Sequence, residues 1–364
     1  MKSLSDFLSS LQSKNSASKG VVGIDIGSSS IKVVELQEKK GVVTLVTYGE
    51  LQLGPYANKD IGESVILDPK QEQEALVDVI RESAVNARSA VFAMPLSSSF
   101  VTNVSIEASP DADLSSIVRV EARKVIPASL SEVTLDWAEV EISKAEAEAD
   151  KDIHRRNILI AAIQNSALER FKVLMQFAGL TEPPTEIECF STIRSLYNSD
   201  EPDIAVIDIG AVSAKLYIAR KGLLMRMYRI RAGGAIATKR ISEALEVSFS
   251  EAEDMKFAAD KSANNFADIK RAHNASYDRP FREFNQVLRE YEDRTGVTFD
   301  SVYLSGGGAL FPGTDAHLKE VLDREVIMSN PFSKVAYPAF MEDTMNGIGP
   351  SFTVALGAAM RVFE

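Results

Sequence analysis

The fold turns on VVGIDIGSSSIKVVEL, residues 21–36. An apolar run ends in Asp-Ile-Gly, crosses three serines and becomes apolar again. A second stretch, IAVIDIGAVSAKLYIA at 204–219, has nearly the same form. Asp25 answers to Asp208, Gly27 to Gly210, Ser30 to Ser213 and Lys32 to Lys215, each pair offset by 208 − 25 = 183. Each copy reads as a strand that ends in an acid, turns over small residues and returns as a second strand.

Outward from the two copies, residues 20–53 predict three strands: VVGIDIG, SIKVVELQ and the alternating VVTLVTYGELQL. Residues 201–230 repeat that pattern and end in LLMRMYRIR. One such unit in each half predicts two related lobes. In the first half, helices are expected over 70–84, 111–127 and 165–180, the last capped at Gly179. Residues 89–180 read as an inserted α+β block, with an exposed charged loop at KAEAEADKDIHR. In the second half, helices are expected over 235–246, 250–262 and about 279–296, with 263–280 polar and irregular. Strand, glycine loop and helix follow in SVYLSGGGALFPGTDAHLKEVL, and a last helix starts near Pro350. Strands alternating with helices make an α/β protein.

The chain has 364 residues, 45% hydrophobic and 25% charged, the composition of a globular protein of two or three domains. Its net charge of −12 argues against a general nucleic-acid binder. Cys189 is the single cysteine, so an internal disulfide is impossible and a reducing cytosol fits. His154, His273 and His317 show no zinc spacing, and neither a zinc site nor a Ser-His-Asp hydrolase is expected. No apolar run is long enough to span a membrane. At the start, Leu4, Phe7, Leu8 and Leu11 mark one face of a short helix, followed by a flexible linker over 13–19.

A phosphate needs converging backbone N–H groups and close approach, which turns of glycine and small residues supply. The turns at 27–30 and 210–213 are of that kind. An acid at each strand end suits Mg²⁺, which commonly binds through one or two carboxylates plus phosphate oxygens. Gly306, Gly307 and Gly308 leave no side chain in the way of a flat ligand, and Gly233-Gly234 make a further small-residue turn. There is no P-loop, no protein-kinase Asp-Phe-Gly and no G-x-G-x-x-G form.

The order of two Asp-Ile-Gly hairpins and a glycine loop resembles the actin, sugar kinase and heat-shock chaperone superfamily. Within it the chain most closely resembles the PilM family of actin-like type IV pilus assembly proteins, relatives of FtsA. The carriers are GIDIGSSSIKVVEL, RVEARKVIP with TLDWAEVEI, AVIDIGAVSAKLYIARKG, YLSGGGALFPGTDAHLKEVL, SNPF and VALGAAMR. The resemblance implies an actin-like (ribonuclease H-like) two-lobe α/β fold with an inserted subdomain of the FtsA/PilM type. The first lobe would span 20–200. The second would span 201–340, with a helical subdomain about 231–300, and 341–364 would return to the first lobe.

By the same resemblance, Asp25 and Asp208 would hold Mg²⁺. Gly27, Ser28, Ser29, Ser30 and Lys32 would face the phosphates of ATP from one side, and Gly210, Ala211 and Ser213 from the other. Glu188 would help position an attacking water. Gly233 and Gly234 would lie near the nucleotide, Glu253 and Lys256 beside ribose and base, and Gly306, Gly307 and Gly308 beside the adenosine. Implied partners are the cytoplasmic tail of a PilN-like inner-membrane protein and the pilus motor ATPases, with self-association a further possibility. The protein would sit in the cytoplasm and touch the membrane only through partners. Val212 departs from the family pattern by removing a hydroxyl, which counts against fast hydrolysis. An FtsA-like division filament and a metabolic kinase are the alternatives. The FtsA-type terminal membrane helix has no counterpart after MRVFE, and no substrate-base aspartate stands out for a kinase.

Overall fold

The computed structural model describes residues 20–109, 111–141, 155–181, 185–258 and 265–363. The expected helix and linker at 1–19 and most of the expected charged loop lie outside them.

The duplication read from the sequence becomes two sheets of matching topology. β1 (Val21–Ile26) and β2 (Ser30–Lys39) form an antiparallel hairpin, with β3 (Val42–Gln52) on its outer side. β4 (Ser89–Met94) and β8 (Glu186–Ile187) join in parallel, giving the order β3-β2-β1-β4-β8. In the second half β9 (Asp203–Ile209), β10 (Ala214–Arg220) and β11 (Leu223–Ile230) repeat the hairpin unit. β12 (Ser301–Ser305) and β13 (Glu325–Met328) add in parallel, giving β11-β10-β9-β12-β13. Both first strands are apolar on both faces because both sheets are covered on both sides.

Alternate residues divide between the faces. From the first sheet, Val22, Ile24 and Phe92 pack outward against α1 (Pro69–Glu82) and α3 (Asn165–Phe177). Val21, Val34 and Val91 pack inward against α9 (Glu342–Met360). From the second sheet, Ile207, Leu216 and Leu304 face α7 (Phe266–Thr295) and α8 (Thr314–Leu322). Val206 and Tyr217 face α4 (Glu188–Leu196). Helices α4 and α9 pack on each other, so together they fill the space between the sheets.

β5 (Ser99–Glu107), β6 (Val133–Val140) and β7 (Arg155–Gln164) form a separate antiparallel sheet in the order β5-β7-β6. α2 (Leu114–Val125) packs on it through Val118 and Ala122. This block is narrower than the expected 89–180. β4 is hydrogen-bonded into the first sheet. Helix α3 buries Phe171 and Leu174 in that sheet's core.

Two helices begin earlier than the sequence reading had them. Residues from 266 onward are helical rather than irregular, and α7 runs unbroken to Thr295 with Pro280 inside it. Ile269, His273, Ser276 and Tyr277 hold one buried face at helical spacing, which the polar residues on the other faces obscure. Likewise α9 starts at Glu342, with Pro350 in its interior. Its carbonyl is not idle there: Pro350 O accepts from Gly306 N at 2.8 Å and from Ser305 Oγ at 3.1 Å.

Candidate functional site

The two Asp turns are built alike. Gly27 N donates to Ser30 O at 3.0 Å, and Gly210 N donates to Ser213 O at 3.0 Å. Across each hairpin the aspartate stands opposite a lysine, Asp25 with Lys32 and Asp208 with Lys215. In the first turn, the carbonyls of Ser28 and Ser29 are taken by Val65 N and Leu53 N at 2.9 and 2.8 Å. Their hydroxyls have no partner among the described residues. Ser30 is buried and its Oγ accepts from Lys32 Nζ at 2.6 Å.

The second turn is enclosed by two glycine segments. Gly234 N donates to Gly210 O at 2.9 Å and Ala235 N to Ala211 O at 3.0 Å. This seats the start of α5 (Gly234–Leu245) on the turn. Gly233 must be glycine, since a Cβ there would stand 2.3 Å from Ala211 O. Gly306, with φ +85°, passes close beside Asp208, and Gly308 packs on Ile209. Gly307 has nothing within 4 Å of its missing Cβ.

Charge gathers where the two strand ends meet. Lys215 Nζ lies 2.8 Å from Glu188 Oε2 and 3.2 Å from Asp208 Oδ2. Glu188 Oε1 accepts from Leu96 N at 2.9 Å. Leu96 opens the short passage from β4 into the inserted sheet. Among the described residues no hydrogen bond or ion pair reaches the Asp25 carboxylate. Burial raises it from 3.8 to about 6, with Lys32 and Lys215 pulling down and Glu188 and Asp208 pushing up. These four groups act on Asp25 together, so the sequence-distant residues share one field.

The lysines differ in what faces them. Lys32 stands opposite Glu50 on β3 and pairs with it at 3.0 Å. It is therefore turned to its own sheet in this structure. Lys215 stands opposite Arg229 on β11, and that like charge leaves the inward carboxylates as its partners. Arg229 itself donates from Nε to Ser213 Oγ at 3.2 Å. The sequence reading left Lys215 out of the site, although the contrast between Glu50 and Arg229 was visible in it.

Glu253 and Lys256 lie on α6 (Phe249–Phe257) and bond to each other at 2.6 Å. Both also bond Thr238 Oγ1. Burial lowers Lys256 below its ordinary range despite the Glu253 charge. Lys256 Nζ stands 3.8 Å from where a Gly234 Cβ would be, so this cluster adjoins the second turn. From the first lobe, Gly62 closes directly on the Glu253 side chain. That cross-lobe contact was not foreseen.

The donor set suits a Mg²⁺-bound phosphate. Among the described residues no group of three or more His, Cys, Asp or Glu could hold a metal by itself. Asp25 is a buried carboxylate with no hydrogen-bond or ion-pair partner among the described residues, and Lys32 and Lys215 only partly offset the cost of ionising it. A divalent ion there would need phosphate oxygens to complete its shell, which is how Mg²⁺ commonly binds.

The family model for the type IV pilus assembly protein PilM matches residues 23–363. The chain belongs to the PilM family. Its structure is similar to a chain of a PilM-PilN type IV pilus biogenesis complex, with TM-score 0.78 and 22% identity over 94% of this chain and 98% of that one. It is also similar to the ethanolamine utilization protein EutJ from Carboxydothermus hydrogenoformans, with TM-score 0.57 and 16% identity over 97% and 95%. A third likeness is to MreB 5 of Spiroplasma citri bound to AMPPNP, with TM-score 0.52 and 12% identity over 95% and 96%. At these identities the likeness is one of fold: this PilM-family chain has the actin-like α/β two-lobe fold. No helix among the described residues is long and apolar enough to cross a membrane.

Proposed function

We propose that the chain is a cytoplasmic scaffold of type IV pilus assembly that binds Mg²⁺-ATP between its lobes. It also holds the cytoplasmic N-terminal tail of a PilN-like inner-membrane protein. The observation that carries the nucleotide reading is a buried Asp25 carboxylate, at the end of a strand before a matched glycine turn, that has no hydrogen-bond or ion-pair partner among the described residues and lies in the joint field of Lys32, Glu188, Lys215 and Asp208. Ser28 and Ser29 would offer free hydroxyls to the phosphates from the first lobe. Gly210, Ala211 and Ser213 would approach from the second. Gly306, Gly307 and Gly308 would run beside the adenosine, and Gly233 and Gly234 beside the phosphates or ribose. Glu253 and Lys256 would reach the ribose side once the Gly62 contact opens. Lys32, turned to Glu50, would act on the phosphates through its field alone. Bound Mg²⁺ would neutralise phosphate charge, with Asp25 and Asp208 as its protein-side anchors.

The AMPPNP complex of the MreB 5 neighbour and the PilM-PilN complex support the nucleotide and partner halves of this reading. Calorimetric titration of the full chain with ATP and Mg²⁺ tests the first half. Asp25→Ala and Asp208→Ala should each weaken binding at least about tenfold. Normal binding by both variants would overturn the assignment. Titration with the cytoplasmic N-terminal tail peptide of a PilN-like protein from the same organism tests the second half, and absence of binding would refute it.

A further inference from the structure

The inserted block is joined to the first lobe by its chain but lies on the second lobe by its face. It leaves the first sheet after β4 and returns to it through α3. Hydrogen bonds gather at that return. Asn165 N and Nδ2 donate to Glu132 O and Ser131 O at 2.9 and 3.0 Å, and Thr134 Oγ1 donates to Asn165 Oδ1 at 2.9 Å. These bonds surround the covalent joint itself. Across the block, residues alternate between two faces. One face, with Val104, Ile158 and Ile160, takes α2. The other, with Val101, Leu159 and Ala161, packs on Tyr217 and Leu224 of the second sheet and on α4.

Two strand edges meet at this second face. β5 is an edge of its own sheet, and β11 is an edge of the second sheet. β11 carries a bulge: Arg226 stands opposite Ile218 and Leu224 opposite Ala219, so Met225 has no partner on β10. An edge strand presents carbonyls that its own ladder does not use. Asn103, opposite Leu159 on β7, supplies the missing donor. Its Nδ2 donates to Met225 O at 2.7 Å and to Leu224 O at 3.0 Å. One amide group thus bridges two sheets. Beside it a cavity of about 280 Å³, bordered by Ser105, Asn157, Met225 and Arg226, leaves the two sheets incompletely packed. Lys221 and Glu141 add an exposed pair at 2.5 Å, which contributes little.

We propose that Asn103 is a clasp by which the inserted block travels with the second lobe, although the chain joins it to the first. When the lobes move, the boundary that changes is then the one between the block and the first sheet. The passages at 95–98 and at Asn165 are its pivots. A partner segment seated across that boundary is gripped or released as the lobes move. The mechanical assignment stands without nucleotide. Its use as regulation of the partner rests on the reading above that Mg²⁺-ATP is held between the lobes.

The test measures spin-label distances in the full chain, with cysteines introduced on three bodies: Glu74→Cys on α1, Arg123→Cys on α2 and Arg289→Cys on α7, all exposed positions. Cys189 is buried and stays unlabelled. In the ligand-free protein the block-to-second-lobe distance should be single and narrow. Asn103→Asp, which turns a carboxylate on the two carbonyls, should broaden it, with circular dichroism confirming the fold. An unchanged distribution would overturn the proposal. Should Asn103→Asp fail to fold, Asn103→Leu takes its place, being of similar size and without a donor. Saturating Mg²⁺-ATP, added to the chain with Asn103 intact, should shift the lobe-to-lobe and block-to-first-lobe distances by more than about 2 Å and leave the block-to-second-lobe distance fixed. A block that keeps its distance to the first lobe while its distance to the second changes would overturn the proposal. So would bound ATP that moves none of the three. A chain that binds no ATP would refute the functional reading, while the ligand-free comparison still decides the clasp.

Discussion

Gly306 and Asp208 are in direct apposition: a Cβ on Gly306 would stand 2.5 Å from Asp208 Oδ1 and 2.4 Å from Ile209 O. The glycine loop thus forms the wall beside the second acid, and its φ of +85° disfavours any side chain. Gly306→Ala should weaken ATP binding at least about tenfold and cost about 1–3 kcal/mol of stability. Gly307→Ala, with open space around the same atom, should change affinity by less than about twofold. Titration calorimetry and denaturant melts of the two variants check the contrast.

Asp25 sets a pH dependence whose sign is opposite to that of a salt-bridged acid. Its folded value is about 6 against an ordinary 3.8, so between those values the folded protein keeps a proton that the unfolded chain has released. Stability of the ligand-free protein should therefore fall as pH rises through that window and stay lower above it. Asp25→Asn should remove the penalty and stabilise the ligand-free protein by about 3 kcal/mol at neutral pH, with little gain below about pH 4. The same change should weaken Mg²⁺-ATP binding. Urea unfolding across the window, with and without nucleotide, measures both.

Lys32 and Lys215 look equivalent in sequence but should not behave alike. Lys32 is committed to Glu50 at 3.0 Å and Ser30 at 2.6 Å. Lys32→Met should lower ATP affinity by no more than about threefold, since it removes only a partly screened charge. A loss as large as that of Asp25→Ala in the same titration would show that Lys32 swings onto the phosphates.

Glu186 joins the first sheet to the helices between the lobes. It is buried, accepts from Ser191 Oγ at 2.6 Å, pairs with Arg194, and lies 3.5 Å from Arg361 Nη1. Glu186→Ala removes the carboxylate that two largely buried guanidinium groups share, although Arg194 and Arg361 keep backbone acceptors at Gly357 O and Thr185 O, and it should cost about 3 kcal/mol. Chemical denaturation should show the midpoint shift with little change in slope.

The second Asp turn was legible because its strand pattern repeats at constant offset, and an exact period across 183 positions leaves little room for chance. The glycine loop was legible because three successive glycines are costly without a close approach. Glu188 entered only through family resemblance, since an acid at the start of a helix has no periodic signature of its own. The Lys215 pairing depends on the third strand of the hairpin unit, where Glu50 and Arg229 differ in charge. That contrast carries meaning only once the register between strands is known. The N-terminal half of α7 was hidden because its buried face is narrow and its other faces are polar. The cross-lobe contact of Gly62 with Glu253 has no local signal, being set by how the lobes meet.

Helix α9 also dictates an order of assembly. Its backbone at Ala355 leaves no room for a Cβ on Gly23, whose own would stand 2.0 Å from Ala355 O, and the two positions are 355 − 23 = 332 residues apart. The second sheet gathers all its strands within residues 203–328, a contiguous stretch that can collapse by itself. The first sheet has strands from residue 21 onward, yet its inner face stays bare until residues 342–360 dock on it. Contacts between such distant segments carry the largest loop-closure cost and form slowly. The lobe that is synthesised first is therefore completed only by the last helix of the chain, and until that helix docks its inner face is apolar surface open to water.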